Sequence, residues 1–321
     1  MKLMDSPRSR LIIFMARTDL LAWYLCEIYH LIKPSLAMKN CIISCMMAFA
    51  ILTSCEKVGR DAIFVINEKI EFTADDISLY DTSAHILYLT RNHSELDNIE
   101  RGTFAFYDRG EPVFSGEFWP GYLSSSPSGP VIMTFPMSLQ RYALKIESWF
   151  DDQNSTLNNS RLTNLLERHN LLHSGLAVSA VSASVAGPEL IFSFTLTNMD
   201  ETDLLILDPE KTGPGLFRFY TNGLYLYGPD SNNEVFADNI QHSAPDPWNS
   251  WSMDWLTLLG SGESKVFTFS YTIQTPLQPG EYRASFGYPG LSFQVSRDEL
   301  FQDGARVWLG GIKINQVITI Q

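Results

Sequence analysis

Cysteine is scarce in this chain and absent after position 55: the four are Cys26, Cys41, Cys45 and Cys55. Downstream of Cys55 no disulfide can form, so a core alone must hold that part together, and thiol catalysis there is excluded. Nor is there an uninterrupted apolar run of the ~20 residues that a spanning helix needs. The nearest candidate, Leu11 to Ile32, is broken by Arg17, Asp19, Glu27 and His30, and charges at a helix centre cost roughly 2.5–3.5 kcal/mol each. Basic residues are also few. Against 36 acidic side chains stand 23 Lys and Arg, and six of those 23 lie in the first 54 residues beside only three acids. From Cys55 onward 17 basic groups face 33 acidic ones, a net charge of −16. Such a surface repels polyanions, which excludes nucleic-acid binding by phosphate neutralisation and any polybasic membrane contact. Catalytic signatures are missing too. No Gly-x-Ser-x-Gly elbow occurs, Ser124 to Ser126 precede Pro127 in a loop, and Gly310-Gly311 runs into Ile312 and a strand pattern, not a phosphate-cradling helix.

What is present begins with Leu52-Thr53-Ser54-Cys55, which closes an apolar run from Cys41 to Leu52 just after Lys39. A short positive region, an apolar core and small residues before the cut describe a secretory signal. With Cys directly after Leu-Thr-Ser, the stretch resembles the lipobox of bacterial lipoproteins. The resemblance implies that Cys55 becomes the first residue of the mature chain and carries the lipid, palmitate included. It implies a cell-envelope protein held to the membrane through that lipid, and Glu56 in place of Asp after the Cys implies the outer membrane. Counted from Met38, the leader 38–54 has the usual length of about 15–30 residues. Residues 1–37 are then an upstream extension, with the true start at Met38.

After a polar tether, 55–61, the chain divides into a β-rich module with one helix, 62–176, and a β-sandwich, 177–321. In the first module Ala62–Ile66, His85–Leu89, Thr103–Tyr107, Val113–Phe118, Val131–Thr134 and Tyr142–Ile146 are short runs rich in β-branched and aromatic residues, separated by turn signals such as Asp108-Arg109-Gly110-Glu111. Leu162, Leu165, Leu166, His169 and Leu172 repeat at helical spacing, with Ser160 as cap, His173 in the last turn and Gly175 as stop. In the second region Leu190, Phe192, Phe194 and Leu196 alternate with Ile191, Ser193, Thr195 and Thr197, the pattern of a strand with one buried face. So do Phe267, Phe269, Tyr271 and Ile273, and again Tyr282, Ala284, Phe286 and Tyr288. Gly- and Pro-rich turns part them, no helical window intervenes, and Val317–Gln321 adds a last strand. The expected class is therefore mainly β, ending in an antiparallel β-sandwich.

Leu277-Gln278-Pro279-Gly280-Glu281-Tyr282 resembles the Leu-x-Pro-Gly-x-Tyr lead-in to a late strand of bacterial immunoglobulin-like modules. Leu196-Thr197-Asn198, Leu204-Leu205-Ile206 and Leu259-Gly260-Ser261-Gly262-Glu263 are similar to the bacterial intracellular proteinase inhibitor family, itself a small immunoglobulin-like domain. These likenesses span roughly Leu190 to Tyr288 and imply an immunoglobulin-like sandwich.

Of the chemistry-bearing residues, His169 and His173 stand four apart, but Glu167 precedes both and no His-Glu-x-x-His is formed. Asp200-Glu201-Thr202-Asp203 and Asp208-Pro209-Glu210 lack the alternating acids and central Gly of a calcium loop. No metal and no cofactor is expected. Trp248, Trp251 and Trp255 fall in a long connection flanked by Asp and Asn. Flat aromatic faces in such company suit stacking on a sugar ring or a partner chain, or else a small core under one end of the sandwich. Trp248 and Trp251 are the candidate binding residues. No acid–base or nucleophile set is assembled. The expected function is that of a lipid-anchored, non-enzymatic binding or structural protein with a protein or glycan partner. The alternatives are a proteinase inhibitor or a glycan-binding accessory lipoprotein.

Overall fold

Short runs rich in apolar residues from Ala62 onward fold into strands that build a single broad sheet. The computed structural model describes residues 61–135, 139–148, 156–228, 233–291 and 294–320, and is mainly β, with twenty strands and three α-helices among them. The first strands are β1 (Ala62–Ile66), β2 (Ile70–Thr73), β3 (Ile77–Asp81), β4 (Ile86–Leu89), β5 (Gly102–Asp108), β6 (Glu111–Pro120), β7 (Pro130–Phe135), β8 (Ala143–Ser148) and β9 (Leu172–His173). They form one sheet in the order β2-β1-β5-β6-β7-β8-β4-β3-β9. The predicted hairpin joins β5 to β6 through Arg109 and Gly110, whose φ angles of 52° and 83° suit a tight turn matched to strand twist. β6 and β7 are parallel, with Glu117 opposite Val131 and Trp119 opposite Met133. At their start the backbones nearly touch: a Cβ on Gly116 would lie 2.3 Å from the Pro130 carbonyl oxygen, so only glycine fits.

One face of this sheet carries a core of Phe64, Phe104, Phe106, Ile132 and Ile146, covered by Leu162, Leu165 and Leu166 of the helix Ser160–Arg168. That helix is where the periodicity predicts it, but both ends differ. Asn159, not Ser160, is the cap, its side chain accepting the Arg161 and Leu162 N–H groups at 2.9 and 3.2 Å. The stop is Asn170, not Gly175. Asn170 takes φ 54°, the Leu171 N–H bonds to the Leu166 carbonyl and the Asn170 N–H to that of Glu167, a left-handed C-terminal cap. Consequently His169 is exposed, not part of the apolar stripe, and His173 lies in β9 beside β3, not in a helical turn.

The other face of the sheet meets a second core. β4 is buried along its whole length, with Leu87 and Leu89 in the first core and Ile86 and Tyr88 in the second. This second core is built mainly by β10 (Leu176–Ala186), β11 (Glu189–Asn198), β12 (Leu204–Leu207), β13 (Leu224–Tyr227), β14 (Glu234–Ala237), β15 (Leu256–Leu259), β16 (Ser264–Thr272), β17 (Gly280–Pro289), β18 (Phe301–Gln302), β19 (Ala305–Val307) and β20 (Gly311–Ile320). They make three sheets, β10-β11-β16, β14-β13-β17-β20 and β15-β12-β19-β18. The first two pack face to face: Phe192, Phe194, Phe267 and Phe269 meet Phe286 and Tyr288 with ring centroids 5.3 to 6.0 Å apart. These are the alternating residues of the sequence.

Two expectations for this region need correction. It is not wholly antiparallel, because β12 and β19 run parallel, Leu205 opposite Val307. It also holds two helices, Pro209–Thr212 and Pro214–Tyr220, where turns alone are expected. Asp208-Pro209-Glu210 and Gly213-Pro214-Gly215, which read as turns in the sequence, are helix starts. Asp208 caps the first, accepting the Glu210 N–H at 3.0 Å, and each helix begins on a proline, whose missing N–H costs nothing there. Val58–Gln321 forms one compact unit, in which Leu79, Ile86, Tyr88 and Tyr142 of the broad sheet's region share the second core.

Candidate functional site

The connection between β14 and β15 carries the three tryptophans and rests on the helix Pro214–Tyr220. In that helix Phe217 is buried in the second core, so Phe219, about 200° further round, points away from it. The connection lies close over the helix N-terminus. The Ser243 N–H bonds to the Gly215 carbonyl at 2.8 Å, and a Cβ on Gly215 would stand only 2.9 Å from the Ser243 hydroxyl. Beneath, Arg218 pairs with the buried Asp238 at 3.2 Å. Burial pushes the Asp238 carboxyl up from its ordinary range, against the Ile240 N–H and the Arg218 charge that favour its ionised form.

The structure separates the tryptophans. Trp255 and Trp251 are half-buried and pack on the second core. Trp255 lies 6.4 Å from the Tyr220 ring. Trp251 donates to Glu299, whose carboxyl is held below its usual range chiefly by the Ser296 hydroxyl and N–H. Trp248 instead keeps 59% of its surface exposed. Its ring meets Phe219 edge to face, with centroids 5.9 Å apart and planes at 89°, and Phe219 in turn lies 6.4 Å from His242. Asp246, Asn249, Asp254 and His242 are exposed on the same connection. Phe219 and His242 escape the sequence reading; the signal for Phe219 is its two-residue offset from Phe217 once a helix is recognised there.

A buried ionic cluster is the other arrangement that the sequence does not reveal. The Arg306 guanidinium donates to Asp81 and to Asp200, each at 3.0 Å, with all three side chains 0–1% exposed, and it lies over the Tyr88 ring at 5.4 Å. Asp81 also accepts the Ser83 N–H and hydroxyl. Asp200 also pairs with the His173 ring at 2.8 Å. Burial opposes the ionised form of Asp200, yet the His173 and Thr202 hydrogen bonds and the His173 and Arg306 charges outweigh it and hold the carboxyl well below its usual range. Thus Asp200, a residue of the acidic turn, is committed to an ion pair. Asp203 of the same turn accepts the Ser261 N–H at 2.9 Å. Asp208 binds Lys265 and the Thr257 hydroxyl, both at 2.6 Å. Among the described residues, no three His, Cys, Asp or Glu side chains gather as they would around a metal ion.

Elsewhere, Tyr122 and Phe135 are 63% and 60% exposed with rings 6.0 Å apart. A groove of about 510 Å³ crosses the broad sheet near Glu68, Thr103, Tyr107, Ser115 and Glu117. No helix among the described residues is long and apolar enough to cross a membrane. Cys55 and the leader lie outside the described residues. No protein-family model and no curated protein matches the chain. Among solved structures, a β-glucosidase from Erythrobacter marinus aligns at 14% identity over 46% of this chain and 15% of its own, with a TM-score of 0.22. A likeness that faint carries no argument about fold or activity.

Proposed function

We propose that this chain is a lipid-anchored binding protein of the bacterial cell envelope, without a catalytic centre, which engages its partner through the surface around Trp248. The observation that carries the reading is the exposure of Trp248. Tryptophan is highly buried on average, and here one indole of three neighbours stays 59% exposed while Trp251 and Trp255 fix the connection to the core. An exposed indole backed by a second ring is available to a partner, and Trp is enriched among binding hot spots. Trp251 ties the same connection to the second core and to Glu299.

Two further features belong to the proposal. The β10-β11-β16 and β14-β13-β17-β20 sheets are read as an immunoglobulin-like sandwich, because Tyr282, at the start of β17, returns its hydroxyl to the Gln278 carbonyl at 2.7 Å, the geometry of a tyrosine corner. The lipid anchor rests on the lipobox ending at Cys55.

Trp248→Ala and Trp251→Ala test the surface. The first should abolish partner binding with little effect on melting temperature, and the second should lower the melting temperature. Unchanged binding in Trp248→Ala defeats the assignment. For the anchor, Cys55→Ala should leave a larger precursor that no longer takes up labelled palmitate. Incorporation of label into that variant, or residues 1–37 found on the mature protein, defeats it.

A further inference from the structure

We infer that the Trp248 surface takes a neutral pyranose ring of a glycan, a reading that rests on Trp248 being the binding surface and names its ligand class. The exposed indole offers a flat apolar face, which matches the C–H face of a sugar ring. The connection that bears it exposes hydrogen-bonding groups: Asp246 and Asn249 lie within two positions of Trp248 in sequence, and His242 and Asp254 are exposed on the same connection. Carboxylates and amides accept and donate to ring hydroxyls. A protein helix would need a row of apolar anchors. Apart from Trp248, the one large apolar side chain of this connection above a third exposed is Met253, at 40%.

Charge then selects among sugars. The connection, 238–255, holds no Lys or Arg, and its exposed charged side chains, Asp246 and Asp254, are both acidic. Acidic side chains on the connection disfavour uronic acids, sulfated sugars and phosphates relative to neutral rings. A quaternary ammonium would need aromatic faces spread around it. Here Phe219 presses against Trp248 at right angles with centroids 5.9 Å apart, which buttresses the indole and leaves no cage between the rings.

The test is a titration of the detergent-solubilised full chain, followed by tryptophan fluorescence and calorimetry. The neutral probes are cellohexaose, maltohexaose, xylohexaose and mannohexaose; the charged ones are hexagalacturonate and choline. Saturable binding of at least one neutral probe is expected. Trp248→Ala should weaken it by about tenfold or more, the mark of a hot-spot residue, with the melting temperature unchanged. Trp248→Phe should recover part of the affinity. Trp248-dependent binding of only hexagalacturonate or choline overturns the neutral-glycan inference and leaves the surface itself standing. So does the absence of neutral-probe binding alongside a protein partner lost in Trp248→Ala. Neutral-probe binding at full affinity in Trp248→Ala overturns the surface assignment, and with it this inference.

Discussion

Arg306→Met removes a guanidinium that two buried carboxylates share. Asp81 and Asp200 each lie 3.0 Å from it, and none of the three side chains is more than 1% exposed, so solvent screening does not soften the loss. Deleting one partner of a buried pair costs about 3–5 kcal/mol, because the other charge stays behind uncompensated. Two carboxylates are stranded here, but each keeps other donors. Asp81 holds the Ser83 N–H and hydroxyl and the Ala84 N–H, and Asp200 holds the His173 ring and the Thr202 N–H and hydroxyl. Those contacts should keep the deficit near the single-pair figure, about 3–5 kcal/mol at pH 7. The sign of its pH dependence follows from linkage. In the native protein Asp200 is depressed below its ordinary value, so it contributes stability above that value and loses it as pH falls through the folded one. Without Arg306, Asp200 loses one of the charges that hold its carboxyl down, so its folded value rises and the deficit shrinks as pH falls from 7 towards about 3. Urea unfolding of wild type and variant at both pH values, followed by circular dichroism and tryptophan fluorescence, measures it. A deficit under about 1 kcal/mol at pH 7, or one that does not change with pH, refutes the electrostatic account.

His85, 5% exposed and 3.0 Å from the Tyr80 hydroxyl, is pushed down to about 4, first by burial and also by Lys145, with Asp81 opposing. The unfolded chain therefore binds a proton that the folded chain refuses, and stability should fall by up to roughly 3 kcal/mol as pH drops from 6.5 to about 4. His85→Asn, which tolerates the φ of 51° there, should flatten most of that slope, leaving the part that buried His93 adds in the same direction; an unchanged slope in urea titrations between those pH values counts against it. Phe194→Ala should cost about 3–5 kcal/mol, since the ring is fully buried among Phe192, Phe267, Phe286 and Tyr288, and a loss below about 1 kcal/mol would mean that the two sheets do not pack on it.

What the sequence determined by itself is whatever short-range periodicity controls. Alternation in β11, β16 and β17 named their buried faces, because successive side chains of a strand point to opposite sides whatever the rest of the chain does. Leu162, Leu165 and Leu166 likewise announced the helix over the first core. Where local geometry slips, the pattern fails. β10 was not legible because a bulge between Ser179 and Ser182, with Ala180 at φ 50°, shifts the phase so that Val178 and Val181 both turn to the core. Asn170 and Asp208 carried their cap signals openly, but each also suits a turn, and only the chain beyond decides which. Tertiary structure alone decided the rest. Arg306 finds Asp81 from 225 residues away and Asp200 from 106, and no window of sequence spans such a pair. The tryptophans show it most plainly. Trp248 and Trp251 sit three residues apart in similar company, and their fates divide because the second core and Glu299 receive one indole while the helix bearing Phe219 leaves the other in solvent.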